Sequence, residues 1–282
     1  MTDQHSPRYG TIDRDYAIRL ATTAPDDDGP IWMVNLMSYK QVADYADGRE
    51  STISGEAADD LYTPLGPLAA IGAEVMFAAK VESQLLGDTP RWDRVGIVRY
   101  PSRRAFIEMQ SRPDFKELHP HKEAGMASTI VMGCLPMPTP PLPPDAPDWA
   151  DVAHPPTPED GPVVVLHVLS FHDDETATVD ESVQDMAAYT DHAALVAVPH
   201  GVRLAGWFSV EGTIVGDGRT WHQARFNAFP SKAAFMDVVF DPARLEAQRS
   251  HREVALADTY TMILRPFIDR LADSIAESAP TP

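Results

Sequence analysis

The sequence predicts an α+β chain in which two tandem βαββαβ units close one barrel. Three observations carry this expectation: the second half repeats the first in order, a proline-rich segment separates the halves, and the opening strand of each half is apolar at both parities. Gly29-Pro30-Ile31-Trp32-Met33-Val34-Asn35-Leu36-Met37-Ser38-Tyr39 parallels Gly161-Pro162-Val163-Val164-Val165-Leu166-His167-Val168-Leu169-Ser170-Phe171. Tyr62, Gly87-Asp88 with Trp92, Tyr100-Pro101-Ser102 and His121-Lys122-Glu123 are answered by Tyr189, Gly216-Asp217 with Trp221, Phe229-Pro230-Ser231 and His251-Arg252-Glu253. The offsets run only from 127 (Tyr62 to Tyr189) to 132 (Gly29 to Gly161), too regular for coincidence.

Taken in order, residues 1–28 read as an N-terminal extension, 29–136 as the first unit, 137–160 as a linker, 161–268 as the second unit and 269–282 as a C-terminal tail. Strand one of each unit, Ile31 to Met37 or Val163 to Leu169, is apolar on both faces and so must be covered on both. Helix one carries Tyr62 or Tyr189. The Gly-Asp pairs near residues 87 and 216 are turn signals between strands two and three. Ser102 and Ser231 then offer N-caps for helix two, whose apolar face in the first half carries Phe106, Met109, Phe115 and Leu118. The closing strands are Thr129 to Leu135 and Thr259 to Leu264. Between Pro136 and Pro162 eleven prolines accumulate, which blocks helix and central-strand pairing and favours extended chain. This strand order is the ferredoxin-like split pattern, whose sheet has one face under helices. The other face also looks apolar here, so the two sheets are expected to pack on each other as a pseudo-twofold α/β barrel.

Composition narrows the function. Hydrophobic residues at 44% and charged residues at 23% are ordinary globular values. The balance of 23 Lys and Arg against 42 Asp and Glu leaves −19, which disfavours nucleic-acid phosphates and anionic lipid as partners. Cys134 is the only cysteine, so neither an internal disulfide nor a Cys-rich zinc site is open to the chain. No apolar run approaches the roughly 18 residues of a membrane span. The first residues lack the basic and apolar regions of a signal peptide, which makes a cytoplasmic protein the expectation. No nucleophile elbow, P-loop, dinucleotide fingerprint or His-Glu-x-x-His helix is present.

Asn35-Leu36-Met37-Ser38-Tyr39, Trp92-Asp93, Tyr100-Pro101-Ser102 with Phe106, and His121-Lys122 together make the sequence resemble the dimeric α/β-barrel superfamily, in particular a large uncharacterised bacterial family within it. The resemblance covers most of Pro30 to Pro136 and, more weakly, Pro162 to Pro266. It implies a fold shared by cofactor-independent monooxygenases, polyketide cyclases, dehydrochlorinases, muconolactone isomerases and haem enzymes, and therefore selects no reaction. The second half departs from the pattern at His167, where the first has Asn35, and at His222, where the first has Asp93.

Parity puts Asn35 with Ile31 and Met33, and His167 with Val163 and Val165, so each polar group sits on a buried face that needs a hydrogen bond or a ligand. Asp93, His167 and His222 are the favoured acid-base groups. His121 and His251, near the end of helix two, read either as cations at a helix C-terminus or as acid-base or haem-ligating imidazoles. Asn35, Tyr39, Tyr189, Arg225 and Asn227 are expected to orient substrate. Trp92 and Trp221 are expected either to wall the cavity or to close the barrel end. No metal site is expected, because the His119, His121 and Glu123 spacing supplies no converging geometry.

The leading expectation is an enzyme moving protons on a small, largely apolar oxygenated molecule, as a lyase, isomerase, cyclase or cofactor-free oxygenase. Haem binding through His121 or His251 is the second reading. The third is a non-catalytic ligand-binding or assembly protein, and the barrel exterior could also carry homo-oligomer contacts.

Overall fold

The computed structural model describes residues 7–175 and 177–278. The first six residues and the last four of the expected tail lie outside the described residues. The chain enters through β1 (Thr11–Ile12) and α1 (Arg14–Thr22). The first half continues as β2 (Ile31–Tyr39), α2 (Gly55–Tyr62), α3 (Leu65–Ala70), β3 (Glu74–Leu86), β4 (Arg94–Tyr100), α4 (Arg103–Ser111), α5 (Pro113–Gly125) and β5 (Met126–Pro136). The second runs β6 (Val163–Phe171), α6 (Val179–Ala197), β7 (Arg203–Gly216), β8 (Gln223–Phe229), α7 (Lys232–Phe240) and α8 (Pro242–Ala247). A π-helical turn (Gln248–Arg252), α9 (Glu253–Ala255), β9 (Leu256–Asp269) and α10 (Leu271–Ala276) complete it.

Eight strands follow one another around a ring, β7–β5–β2–β4–β3–β9–β6–β8, and β8 pairs back onto β7. Every pairing is antiparallel, so the result is a closed antiparallel barrel with α-helices outside it. Open sheets lying face to face were the expectation. Instead the edges themselves are joined: β5 pairs with β7 from Val131↔Val215 to Pro136↔Phe208, and β3 with β9 from Phe77↔Asp269 to Leu86↔Thr261. Closure satisfies the backbone groups that four free edges would leave open.

The double-sided burial of the opening strands now has a cause. Trp32, Val34 and Leu36 point into the barrel with Val164, Leu166 and Val168, while Ile31 and Met33 face the first-half helices and Val163 and Val165 the second-half helices. Phe77 from β3 and Phe226 from β8 meet edge to face at 5.6 Å on the barrel axis. The residues assigned to a tail close one end: Leu271 is fully buried in the barrel core, and Trp32 Nε1 donates to Ser274 Oγ at 3.0 Å.

Local chemistry sets the helix ends. Ser102 Oγ accepts from Ala105 N and Ser231 Oγ from Ala234 N, each at 3.1 Å, as expected of N-caps. Helix two, read as continuous, is broken in both halves. Arg112 (ψ 134°) and Asp241 (ψ 129°) are extended because each precedes a proline, whose ring excludes the helical conformation of its predecessor.

The N-terminal extension is held by two glycines. Gly133 and Gly212 are partners across the β5–β7 seam, and the Tyr16 ring lies on both. A Cβ on Gly212 would stand 2.6 Å from that ring. Gly212→Val is therefore expected to destabilise the protein by about 1–3 kcal/mol. Combining it with Tyr16→Ala should recover part of the loss. Urea midpoints measure both, and an unchanged midpoint in the single variant would show that α1 does not bear on the seam.

Candidate functional site

Each half holds a cavity between its helices and the outer face of its strands. The first-half cavity measures about 850 Å³ and the second-half cavity about 590 Å³. Asn35 lines the first and His167 the second, so the face deduced from parity is the one that carries both cavities.

The second-half cavity is built on one row of paired residues. Arg225 on β8, His167 on β6 and Thr261 on β9 are register partners. The same row of the first half reads Gly96, Asn35 and Val131. Arg252, from the π-helical turn, reaches the row from above: its guanidinium donates to Thr259 Oγ1 at 3.1 Å and to Thr261 Oγ1 at 3.4 Å. His167 Nδ1 lies 3.1 Å from Thr261 Oγ1. Arg225 donates from Nε to Gln223 Oε1 and from an Nη to Thr190 Oγ1, both at 2.8 Å, and its guanidinium stands over the Trp207 ring at 4.6 Å.

Arg225 and Arg252 are 9% and 4% exposed, yet every group they bond is neutral. Arg203 and Arg244 join them in the lining, and among the described residues no Asp or Glu does. Burial and the neighbouring Arg252 push the Arg225 guanidinium down to about 10, and burial pushes Arg252 down as well. Burial, then Arg252, Arg225 and Arg244, hold the His167 imidazole well below its usual range, so it is neutral at neutral pH. Buried cations are ordinarily paired.

The remaining wall is apolar and includes Met186, Val238 and Phe235, while the proline-rich segment contributes Thr139 to Pro143. Tyr189 and Asn227 line the cavity; Tyr189 Oη accepts from Arg244 Nε at 3.2 Å, and Asn227 Oδ1 from Trp207 Nε1 at 3.3 Å.

In the first-half cavity Asn35 Nδ2 donates to Met33 O at 2.8 Å. Arg94 is saturated with carboxylates: Glu56 at 3.0 Å, Asp59 at 3.2 Å and Asp60 at 2.9 Å. Tyr39 stands behind this cluster, donating to Asp59 Oδ2 at 2.6 Å, and does not itself line the cavity. His119, Lys122, Tyr9 and Tyr62 form its inner end.

Burial, aided by Lys122, pushes His119 down to about 4. The unfolded state binds this proton at the ordinary histidine pKa of about 6.5 and the folded state only near 4, so stability is full above 6.5 and declines as pH falls between the two. Urea midpoints should drop across that window, and His119→Asn should flatten the fall. An identical slope in the variant would remove His119 as the cause.

Other residues singled out from the sequence lie away from both cavities. Asp93 Oδ2 accepts from Tyr39 N at 2.8 Å, and His222 Nδ1 accepts from Phe171 N at 3.0 Å. In both halves the same residue's N–H also bonds the opening strand, to Met37 O or Leu169 O at 2.8 Å. These two side chains therefore tie down strand ends, and neither lines a cavity. Trp92 and Trp221 are 3% and 2% exposed inside the barrel, flanking Tyr260 at 5.6 and 5.3 Å, so they fill its end and wall neither cavity.

His121 Nδ1 is 2.7 Å from Tyr45 Oη, and His251 stacks on His192 at 5.6 Å. Neither lines either of these two cavities. What the sequence reading missed is the next residue in each half: Lys122 and Arg252, each directly after the histidine singled out there, are the cavity-lining groups. Their shared basic character was the available signal. Arg244 and Trp207 had none. Among the described residues no group of three or more His, Cys, Asp or Glu could hold a metal ion, and no helix is long and apolar enough to cross a membrane.

No family model matches the chain, and no curated protein does. Among solved structures, a protein of unknown function from Rhodopseudomonas palustris is 25% identical, with 46% of this chain and 98% of that one covered at a TM-score of 0.40. An anthrone oxidase-like protein is 14% identical, covering 87% and 97% at 0.48. A mutant chlorite dismutase from Candidatus Nitrospira defluvii is 11% identical, covering 92% and 99% at 0.47.

Proposed function

We propose that the protein is an enzyme that binds a small, mostly apolar carboxylate bearing a second oxygen function and moves a proton on it in the second-half cavity. The observation that carries this reading is the pair of buried guanidiniums, Arg225 and Arg252, that converge on His167 in a cavity with no Asp or Glu in its lining among the described residues. The reading takes the chain as two tandem ferredoxin-like units, 29–136 and 161–268. Their support is the strand order within each half, β5–β2–β4–β3 and β9–β6–β8–β7, which is the same sequence of positions.

The ligand's carboxylate sits between Arg225 and Arg252, where charge-assisted hydrogen bonds replace the water lost on entry. Its apolar body lies against Met186, Val238 and Phe235. Occupation changes the base. Burial first, and then the arginines, keep His167 neutral and weakly basic. A bound anion cancels much of that field, raising the basicity of the imidazole only when substrate is present. With the Nδ1 proton donated to Thr261 Oγ1, the Nε2 lone pair takes a proton from the carbon beside the second oxygen function. Arg244, held by Tyr189, faces the enolate oxygen that forms.

Deuterium exchange at C3 of phenylpyruvate, followed by proton NMR, tests this chemistry. The wild-type protein is expected to accelerate exchange over buffer at least about 100-fold, within the usual range for one acid-base group. His167→Gln should abolish the acceleration and keep binding. Binding without exchange in the wild type, here and with other aromatic oxo acids, would contradict the catalytic part of the reading.

A further inference from the structure

The first-half cavity holds a group that the proposed reaction does not use. Of the five lysines, Lys40, Lys80 and Lys232 are ion-paired with Asp44, Glu56 and Glu82, and Lys116 is exposed. Lys122 differs from all four. It lines the cavity with no carboxylate of the described residues within ion-pair distance, and its Nζ stands over the rings of Tyr62 at 5.1 Å and Tyr9 at 5.8 Å. Asp59, which lines the same cavity, is already engaged by Arg94 and Tyr39.

We propose that Lys122 is a nucleophilic amine and that the first-half cavity captures an apolar aldehyde as an imine. Two features select this ligand class. The other cations of the lining, Lys80, Arg94 and Arg265, are already paired with Glu56, with Glu56, Asp59 and Asp60, and with Asp160, so none of them is free to hold an anion of the kind the second half attracts. Met33, Leu68, Phe106 and Val131 give an apolar interior, which leaves a neutral molecule that an amine can still recognise, namely a carbonyl compound. In the step itself the Nζ lone pair adds to the carbonyl carbon. The carbinolamine then expels the carbonyl oxygen as water, which carries away both amine protons, and the C=N bond remains.

Desolvation favours the reactive form: burial lowers the pKa of Lys122, opposed by the fields of Asp59 and Glu123. His119 beside it is held neutral and adds no positive charge. Access is through the cavity mouth, where Asp60 and Lys80 are exposed.

The test is reductive trapping on the full-length protein at pH 7 with benzaldehyde and cyanoborohydride, followed by peptide mapping of all five lysines. Lys122 is expected to be labelled at least tenfold faster than exposed Lys116. Lys122→Met should lose that fast label and no other, with its urea midpoint confirming a folded chain. Arg252→Met, in the other cavity, should leave labelling unchanged, so failure here is separable from failure of the proposed proton transfer. Labelling of Lys116 first, or a folded wild-type protein in which Lys122 stays unmodified, would overturn the proposal.

Discussion

Arg252→Met is expected to weaken binding of an apolar carboxylate by at least about 100-fold while raising the stability of the ligand-free protein by about 1–3 kcal/mol. Both effects have one source. The Arg252 guanidinium is 4% exposed and, among the described residues, bonds only two threonine hydroxyls, so folding strips it of water without supplying a directly bonded carboxylate. Methionine keeps most of the length and removes that cost. In the proposed function the same cation is one jaw of the ligand clamp, and its loss removes a charge-assisted hydrogen bond in a desolvated site. Calorimetric titration and urea unfolding give the two numbers. A variant that is less stable and binds equally well would show that Arg252 is structural.

Phe77→Ala is expected to cost about 3–5 kcal/mol and to weaken both halves at once. Phe77 is fully buried on the barrel axis against Phe226 of the other half, so truncation opens a hole that neither half can fill alone. Because the β3–β9 and β5–β7 seams join the halves into one ring, tryptophan fluorescence and far-ultraviolet circular dichroism should report one coincident transition in wild type and variant. Two separated transitions would mean that the halves fold independently.

The strand pattern made much of this fold legible. Apolar residues at both parities of Ile31 to Met37 demanded cover on two sides, and the structure supplies a barrel interior and a helix layer. The same parity placed Asn35 and His167 correctly on the cavity face. Edge pairing between the halves was not legible, because register between Val131 and Val215 or Phe77 and Asp269 depends on residues far apart in sequence, and no local period encodes it. The helix-borne site residues were misplaced by one position. Adjacent helical residues point about 100° apart, so reading His121 and His251 in place of Lys122 and Arg252 moves the side chain off the cavity. Asp93 and His222 looked like acid-base groups because a free carboxylate and an imidazole usually do. Their partners are backbone N–H groups, to which a sequence gives no direction.

The central claim is that the second-half cavity is built around an anion. Calorimetric titration of the wild-type protein with 2-naphthoate and with 2-naphthamide, which share shape and apolar area but differ in charge, tests it most directly. The account predicts that the carboxylate binds at least about 100-fold more tightly, and that the advantage disappears in Arg225→Met and Arg252→Met. Equal affinity for acid and amide in the wild type would contradict it.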